Sequence, residues 1–158
     1  MPSPDRLVDD VDARILDALV KNPRATVVAL AEATGLARNT IHARLARLES
    51  AGALRSMERR IDPAALGYPL TAFIMVTVMQ RKLDAIGVAL GDIPEVLEVH
   101  GLSGVTDLMV HIAARDAGDL YRVAGQILDI DGVEKTTTGL VMRRLVDYRV
   151  APLLTACK

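Results

Sequence analysis

Apolar residues recur at helical spacing in three successive stretches near the start of the chain. Val11, Ile15, Leu16, Leu19 and Val20 form the buried stripe of a first helix. Asp9 or Asp10 can cap it, Asp10 and Asp12 suit the positive end of its dipole, and Asn22-Pro23 ends it. Val27, Leu30, Ala31 and Thr34 mark a second helix, with Thr26 placed to cap it. Gly35 allows a sharp exit and Leu36 anchors the turn. Ile41, Leu45 and Leu48 then fall at i, i+4, i+7, and residues 49–52 close this third helix. Its remaining surface carries Arg38, Asn39, Thr40, His42, Arg44 and Arg47. Arginine offers a donor fork for guanine edges or phosphates, and asparagine can pair bidentately with adenine. The pattern predicts a helix-turn-helix with residues 38–48 as the recognition helix, as opposed to a helix pair with a merely solvated basic face.

Residues 53–61, ALRSMERRI, alternate apolar and polar positions with Met57 out of phase, and predict a strand pair or extended wing carrying Arg55, Arg59 and Arg60. Arginines there either touch flanking phosphates or decorate a solvated edge strand. Residues 62–67 predict one capped helical turn at a domain boundary.

From Tyr68 the texture changes. Residues 70–79 are apolar and β-branched and predict a strand; residues 83–90 return to helical spacing. Residues 96–100 and 108–113 predict two strands joined by the turn at 101–104. Asp116 caps a helix with Leu120, Val123, Ala124, Ile127 and Leu128 inward; residues 133–142 form a further strand, which 143–150 extend or supplement. DIPEVLEV (92–99) and DIDGVEKT (129–136) form a weak internal repeat, each after an amphipathic helix. The order βαββαβ predicts the ferredoxin-like split fold. Leu70, Ala72, Ile74, Val76 and Val78 alternate with Phe73 and Met75, so both sheet faces are apolar and dimerisation is expected. The fold class is α+β: a three-helix (winged) helix-turn-helix domain over residues 1–53, a wing and linker over 54–68, and the ferredoxin-like domain over 69–158.

The chain has 158 residues, 51% hydrophobic and 25% charged, which is the composition of a globular protein. Its net charge of −1 excludes a generic polyanion binder. Charge is instead local. Residues 36–60 carry six arginines (38, 44, 47, 55, 59, 60) against Glu49 and Glu58, a net of +4. Residues 1–35 carry four basic against six acidic side chains, a net of −2. No tryptophan and 3% aromatics argue against stacking on single strands. Cys157 is the one cysteine, so no internal disulfide forms and a reducing, cytoplasmic setting is expected. The first ten residues lack a signal-peptide core, residues 1–8 read as a loose lead-in, and residues 69–79 are too short to span a bilayer.

From about Val8 to Val150 the chain resembles the Lrp/AsnC family of feast/famine regulators. The resemblance is carried by residues 9–54, by Ile61-Asp62-Pro63 with Leu66-Gly67, and by the βαββαβ module. It implies a transcription regulator binding double-stranded DNA through Thr26, Arg38, Asn39, Thr40, His42, Arg44, Arg47 and Arg59. It also implies a C-terminal (RAM-type) module that pairs into homodimers, commonly octamers, and binds a small amino-acid-like effector. The effector set aligns to Ser103, Gly104, Val105, Thr106 and Asp107, with Thr136 and Thr138 on the last strand. Gly104 and Asp107 match the family loop; Val105 and Thr106 replace an acidic and an aromatic residue. Asp107 is suited to an α-ammonium group or to local amides, and Gly104 to a ligand carboxylate or simply to turn geometry. Ala37 stands where relatives often carry a serine cap, a loss of about 1 kcal/mol.

No catalytic constellation, phosphate loop or metal-spaced ligand pair is present in the sequence, and His42, His100 and His111 are scattered. Neither cofactor nor metal is expected. The alternatives are a siroheme decarboxylase-like enzyme on the same build, or an assembly partner that no longer binds DNA.

Overall fold

The computed structural model describes residues 7–155, so Cys157 and most of the expected lead-in lie outside the described residues. The chain forms two compact units, Ile61–Leu145 and the combination of Met1–Arg60 with Val146–Lys158.

The core of the helical unit is built from α1 (Asp10–Lys21), α2 (Val27–Thr34) and α3 (Arg38–Ser50). A reciprocal capping box starts α1. The Asp12 amide donates to Asp9 Oδ1 at 2.8 Å, and the Asp9 amide donates to Asp12 Oδ2 at 3.0 Å. Thr26 Oγ1 accepts from the Ala29 amide at 3.2 Å, starting α2, and Gly35 ends it at φ +69°, where a side chain would be strained. Ala37 leads into α3 with no side-chain cap. Ile15, Leu30 and Ile41, one from each helix, are fully buried together, with Val11, Leu19, Leu36 and Leu45 packed around them. Val20, expected inward, is instead exposed.

The expected wing is absent. Met57–Arg60 is a 3-10 turn, and residues 51–69 contain no strand. Alternation over so short a stretch has no second strand to pair with, and Met57 and Ile61 stay exposed. The capped turn follows as expected: Pro63–Leu66, with Asp62 Oδ1 accepting from the Ala64 amide at 3.0 Å.

The second unit is one antiparallel sheet in the order β2-β3-β1-β4, built from β1 (Leu70–Val78), β2 (Val96–Gly101), β3 (Leu108–Ala114) and β4 (Val133–Leu140). Helix α4 (Leu83–Gly91) joins β1 to β2 and α5 (Ala117–Leu128) joins β3 to β4, which is the split βαββαβ arrangement. Ala72, Ile74, Val76 and Val78 alternate inward along β1. They bury against Ile86 and Leu90 of α4, Val110 and Ile112 of β3, and Val123 and Ile127 of α5. Leu128 points out, because its position falls past the edge of the α5 stripe. The internal repeat is a shared turn: Ile93 and Ile130 donate to Leu90 and Ile127 carbonyls, and Val96 and Val133 donate back to Ile93 and Ile130.

Strand β4 stops at Leu140, and residues 141–150 form neither an extension nor a further strand. A short helix, α6 (Ala151–Thr155), follows and packs against α1, so this tail belongs to the helical unit and not to the sheet domain expected to run to residue 158. No helix among the described residues is long and apolar enough to cross a membrane.

Candidate nucleic-acid interface and effector loop

Helix α3 divides its surface three ways. Ile41 and Leu48 are buried. Arg38, Asn39, His42, Ala43, Ala46 and Glu49 share an exposed face, and Thr40 is half-buried beside it. The exposed face has donors at its N-terminal end and two alanines along its middle. A face of that shape is suited to close approach by a flat or grooved partner, with the Arg38, Asn39 and His42 side chains free of core packing. Thr26, at the start of α2, is exposed; its oxygen accepts the Ala29 amide and its hydroxyl proton remains available to a phosphate. Arg59 is exposed on the 3-10 turn and not on a wing.

Arg44 and Arg47 behave differently. Arg44 borders the buried stripe and Arg47 lies on the flank of α3 next to Ala43, and both reach back to the N-terminal end of α1. Arg44 Nη1 donates to Asp9 Oδ2 and, at 3.3 Å, to Asp12 Oδ1. Arg47 Nη2 donates to Asp12 Oδ2, and its Nη1 donates to the Leu7 carbonyl at 3.1 Å. Asp12 is fully buried. The Asp12 amide, then the Arg44 guanidinium, hold the Asp9 carboxyl down at about 2, against an ordinary 3.8. The Asp9 contact in turn raises the Arg44 pKa. Sequence reading placed both arginines with the other polar residues of the helix; their carboxylate partners lie more than thirty residues away.

In the sheet unit the expected effector loop closes the end of β1. Asp107 Oδ2 accepts from the Val78 amide at 2.8 Å and Oδ1 accepts from Gln80 Nε2 at 2.6 Å. Its amide donates to the Val76 carbonyl, and its carbonyl accepts from the Leu102 amide. Asp107 therefore braces the loop from within the chain. Ser103, Gly104 and Val105 stand out from it, Gly104 at φ +138° and Val105 98% exposed. Thr136 and Thr138 are not gathered onto this loop. They pair with Val76 and Ile74 across the opposite edge of β1, so one strand separates them from Asp107. Their side chains share the helix-covered side of the sheet with those partners.

Neither α4 nor α5 packs on the other side of the sheet, whose residues are half-buried. Phe73 and Met75 from β1 lie beside His111 and Met109 of β3, and the Phe73 and His111 rings stack at 4.7 Å. At the opposite end from the loop, a clamp that sequence reading missed joins α5 to the turn leading into β2. Asp119 accepts from Arg115 and Arg122, and Arg122 also donates to Glu95. The Arg115 contacts, with help from Arg122, hold the Asp119 carboxyl well below the usual carboxylate range. Among the described residues no cluster of His, Cys, Asp or Glu is placed to hold a metal ion.

Two family models match the chain: an AsnC-type helix-turn-helix domain over residues 8–49 and an Lrp/AsnC ligand binding domain over residues 71–151. The HTH-type transcriptional regulator AldR of Mycolicibacterium smegmatis is 38% identical over 144 residues, covering 89% of this chain and 84% of the relative. Among solved structures, Escherichia coli AsnC is similar with a TM-score of 0.81 and 26% identity, over 93% of this chain and 100% of that one. A transcriptional regulator from Neisseria meningitidis, solved as its L-Met complex, is similar with a TM-score of 0.78 and 27% identity, over 89% of this chain and 93% of that one.

Proposed function

This chain belongs to the Lrp/AsnC family of DNA-binding transcription regulators, not to a family of enzymes, and from that premise we propose how it reads DNA, assembles and responds. The α3 face of Arg38, Asn39 and His42 enters the major groove, with Thr26 and Arg59 on flanking phosphates. The observation that carries this reading is the exposed, small-residue-centred face of α3. The sheet face away from α4 and α5, with Phe73, Met75 and Met109, is where two copies pair, and dimers assemble further into an octamer. An apolar face of this kind needs a partner to leave water. The protein works in the cytoplasm.

The effector is a small amino acid. The L-Met complex of the Neisseria relative supports that class, and the outstanding part of the loop at residues 103–106 is its contact rim. Asp107 shapes the rim through Val78 and Gln80, while Thr136 and Thr138 flank it from across β1. The test is a fluorescence titration of the duplex upstream of the protein's own gene against a random duplex, with and without a panel of amino acids that includes L-methionine. Preferential binding that an amino acid shifts supports the reading. Equal binding to both duplexes under every condition overturns it.

A further inference from the structure

We propose that the Asp9–Asp12–Arg44–Arg47 cluster is a positioning device: Arg44 and Arg47 fix how α3 stands on α1, and govern base reading without touching DNA. This rests on the reading that Arg38, Asn39 and His42 face the groove.

The core alone does not set that geometry. Ile15, Leu30 and Ile41 join the three helices by apolar contact, which is strong but not directional. Guanidinium–carboxylate contacts are directional, and here two of them converge on a single fully buried carboxylate. Asp12 is itself fixed, because its Oδ2 also accepts the Asp9 amide that opens α1. The first turn of α1 and two successive turns of α3 are thus tied at one point.

An arginine leaving this cluster for a phosphate would leave the buried Asp12 carboxylate with one guanidinium in place of two, and weakening a buried pair is unfavourable. Position 44 lies beside Leu48 toward the core side of α3, while position 47 lies on the flank one turn past Ala43, so it is the contact with Asp12 that draws Arg47 back from the exposed face. Both side chains are partly shielded, at 30% and 40% exposure. A 1 Å or 10° error in the stance of α3 would misplace every base contact at once, so the cluster acts on specificity through Arg38, Asn39 and His42.

The experiment uses the full chain, the duplex upstream of its own gene, and a random duplex of equal length, each titrated over a series of salt concentrations. The variants are Arg47→Gln, Arg47→Lys, Asp12→Asn and the double Asp12→Asn/Arg47→Gln. On the random duplex, the slope of log K against log salt should stay at the wild-type value in Arg47→Gln. A phosphate contact would instead reduce that slope by about 0.9 per subunit. On the upstream duplex, each single variant should lose about tenfold or more in preference over random DNA, and the double variant no more than the worse single.

Arg47→Lys keeps the charge but not the fork, so it should lose preference too; a phosphate contact would leave it near wild type. It also decides the matter if thermal melts show that Asp12→Asn unfolds the helices. A reduced slope in Arg47→Gln, or unchanged preference in Arg47→Gln and Arg47→Lys together, overturns the proposal. Should the wild-type chain show no preference for the upstream duplex, the choice of operator has failed, and the slope on random DNA still decides.

Discussion

Replacing Ile41 by Ala removes a side chain that sits at the centre of the three-helix core and is fully buried. Three carbons leave apolar surroundings, at about 0.8 kcal/mol each, or about 2.4 kcal/mol. A void of roughly 60 Å³ left behind would add about 1.4 kcal/mol at 24 cal/mol per Å³. The sum is about 4 kcal/mol. A unit of this size has a total stability on the order of 3–9 kcal/mol. The variant should therefore populate unfolded helices substantially at 25 °C. Ile41 takes no part in the sheet core, which is centred on Ile74, Val76, Val110 and Ile112. Hydrogen exchange read by mass spectrometry should show α1, α2 and α3 amides losing most of their protection while β1 and β3 amides keep theirs, with DNA binding lost in parallel. Protection in α3 within 1 kcal/mol of wild type would refute the packing argument. Equal loss in β1 and β3 would refute the separation of the two cores.

Three further outcomes follow from particular contacts. Arg38→Ala and Asn39→Ala should each lower affinity for the preferred duplex by about 1–3 kcal/mol with an unchanged melting temperature; titrations matching wild type would move base reading off the start of α3. The Asp9 carboxyl is held at about 2, below its ordinary 3.8, so its contribution to stability is complete above about pH 4 and fades as pH falls toward 2. The gap in urea midpoint between wild type and Asp9→Asn should accordingly narrow between pH 6 and pH 2.5, and a constant gap would contradict the assignment. Ala37→Ser places a hydroxyl where φ is −65° and ψ 144° and no side chain caps α3, so it should raise stability by about 1 kcal/mol, seen as a higher melting temperature of the helical unit.

The parts of the fold that local signals specify were legible in the sequence. The caps (Asp9, from the Asp9-or-Asp10 pair, with Thr26 and Asp116), the Gly35 exit and the alternation along β1 all rest on near neighbours in sequence, and each appears in the structure. The wing failed because alternation alone was read without a pairing partner, and a strand without a ladder has no advantage over a 3-10 turn. Helix α6 escaped notice because five residues hold barely more than one helical turn, too few to show a period. In the candidate site, periodicity correctly separated Ile41 and Leu48 from the polar positions. It could not separate Arg38 from Arg44, since the difference between them lies in Asp9 and Asp12 on another helix. Asp107 is the same case, a residue whose Val78 and Gln80 partners settle what its carboxylate does inside the chain.

That difference changes what the local charge means. Six arginines against two glutamates over residues 36–60 suggest a strongly basic reading head. Yet Arg44 and Arg47 are matched by Asp9 and Asp12, and Glu49 shares the exposed face of α3 with Arg38. With Arg44 and Arg47 paired, four arginines (38, 55, 59, 60) against Glu49 and Glu58 leave a net of +2 in place of +4. Because nonspecific affinity grows with each phosphate neutralised, one copy should bind DNA more weakly, and with a shallower salt dependence, than the six arginines alone imply. Linking several such heads multiplies weak contacts through effective concentration, with no new contact needed in any one head. The sheet face away from α4 and α5 supplies that link in the proposed assembly. A ligand that alters how copies are joined would then change DNA affinity while leaving α3 untouched.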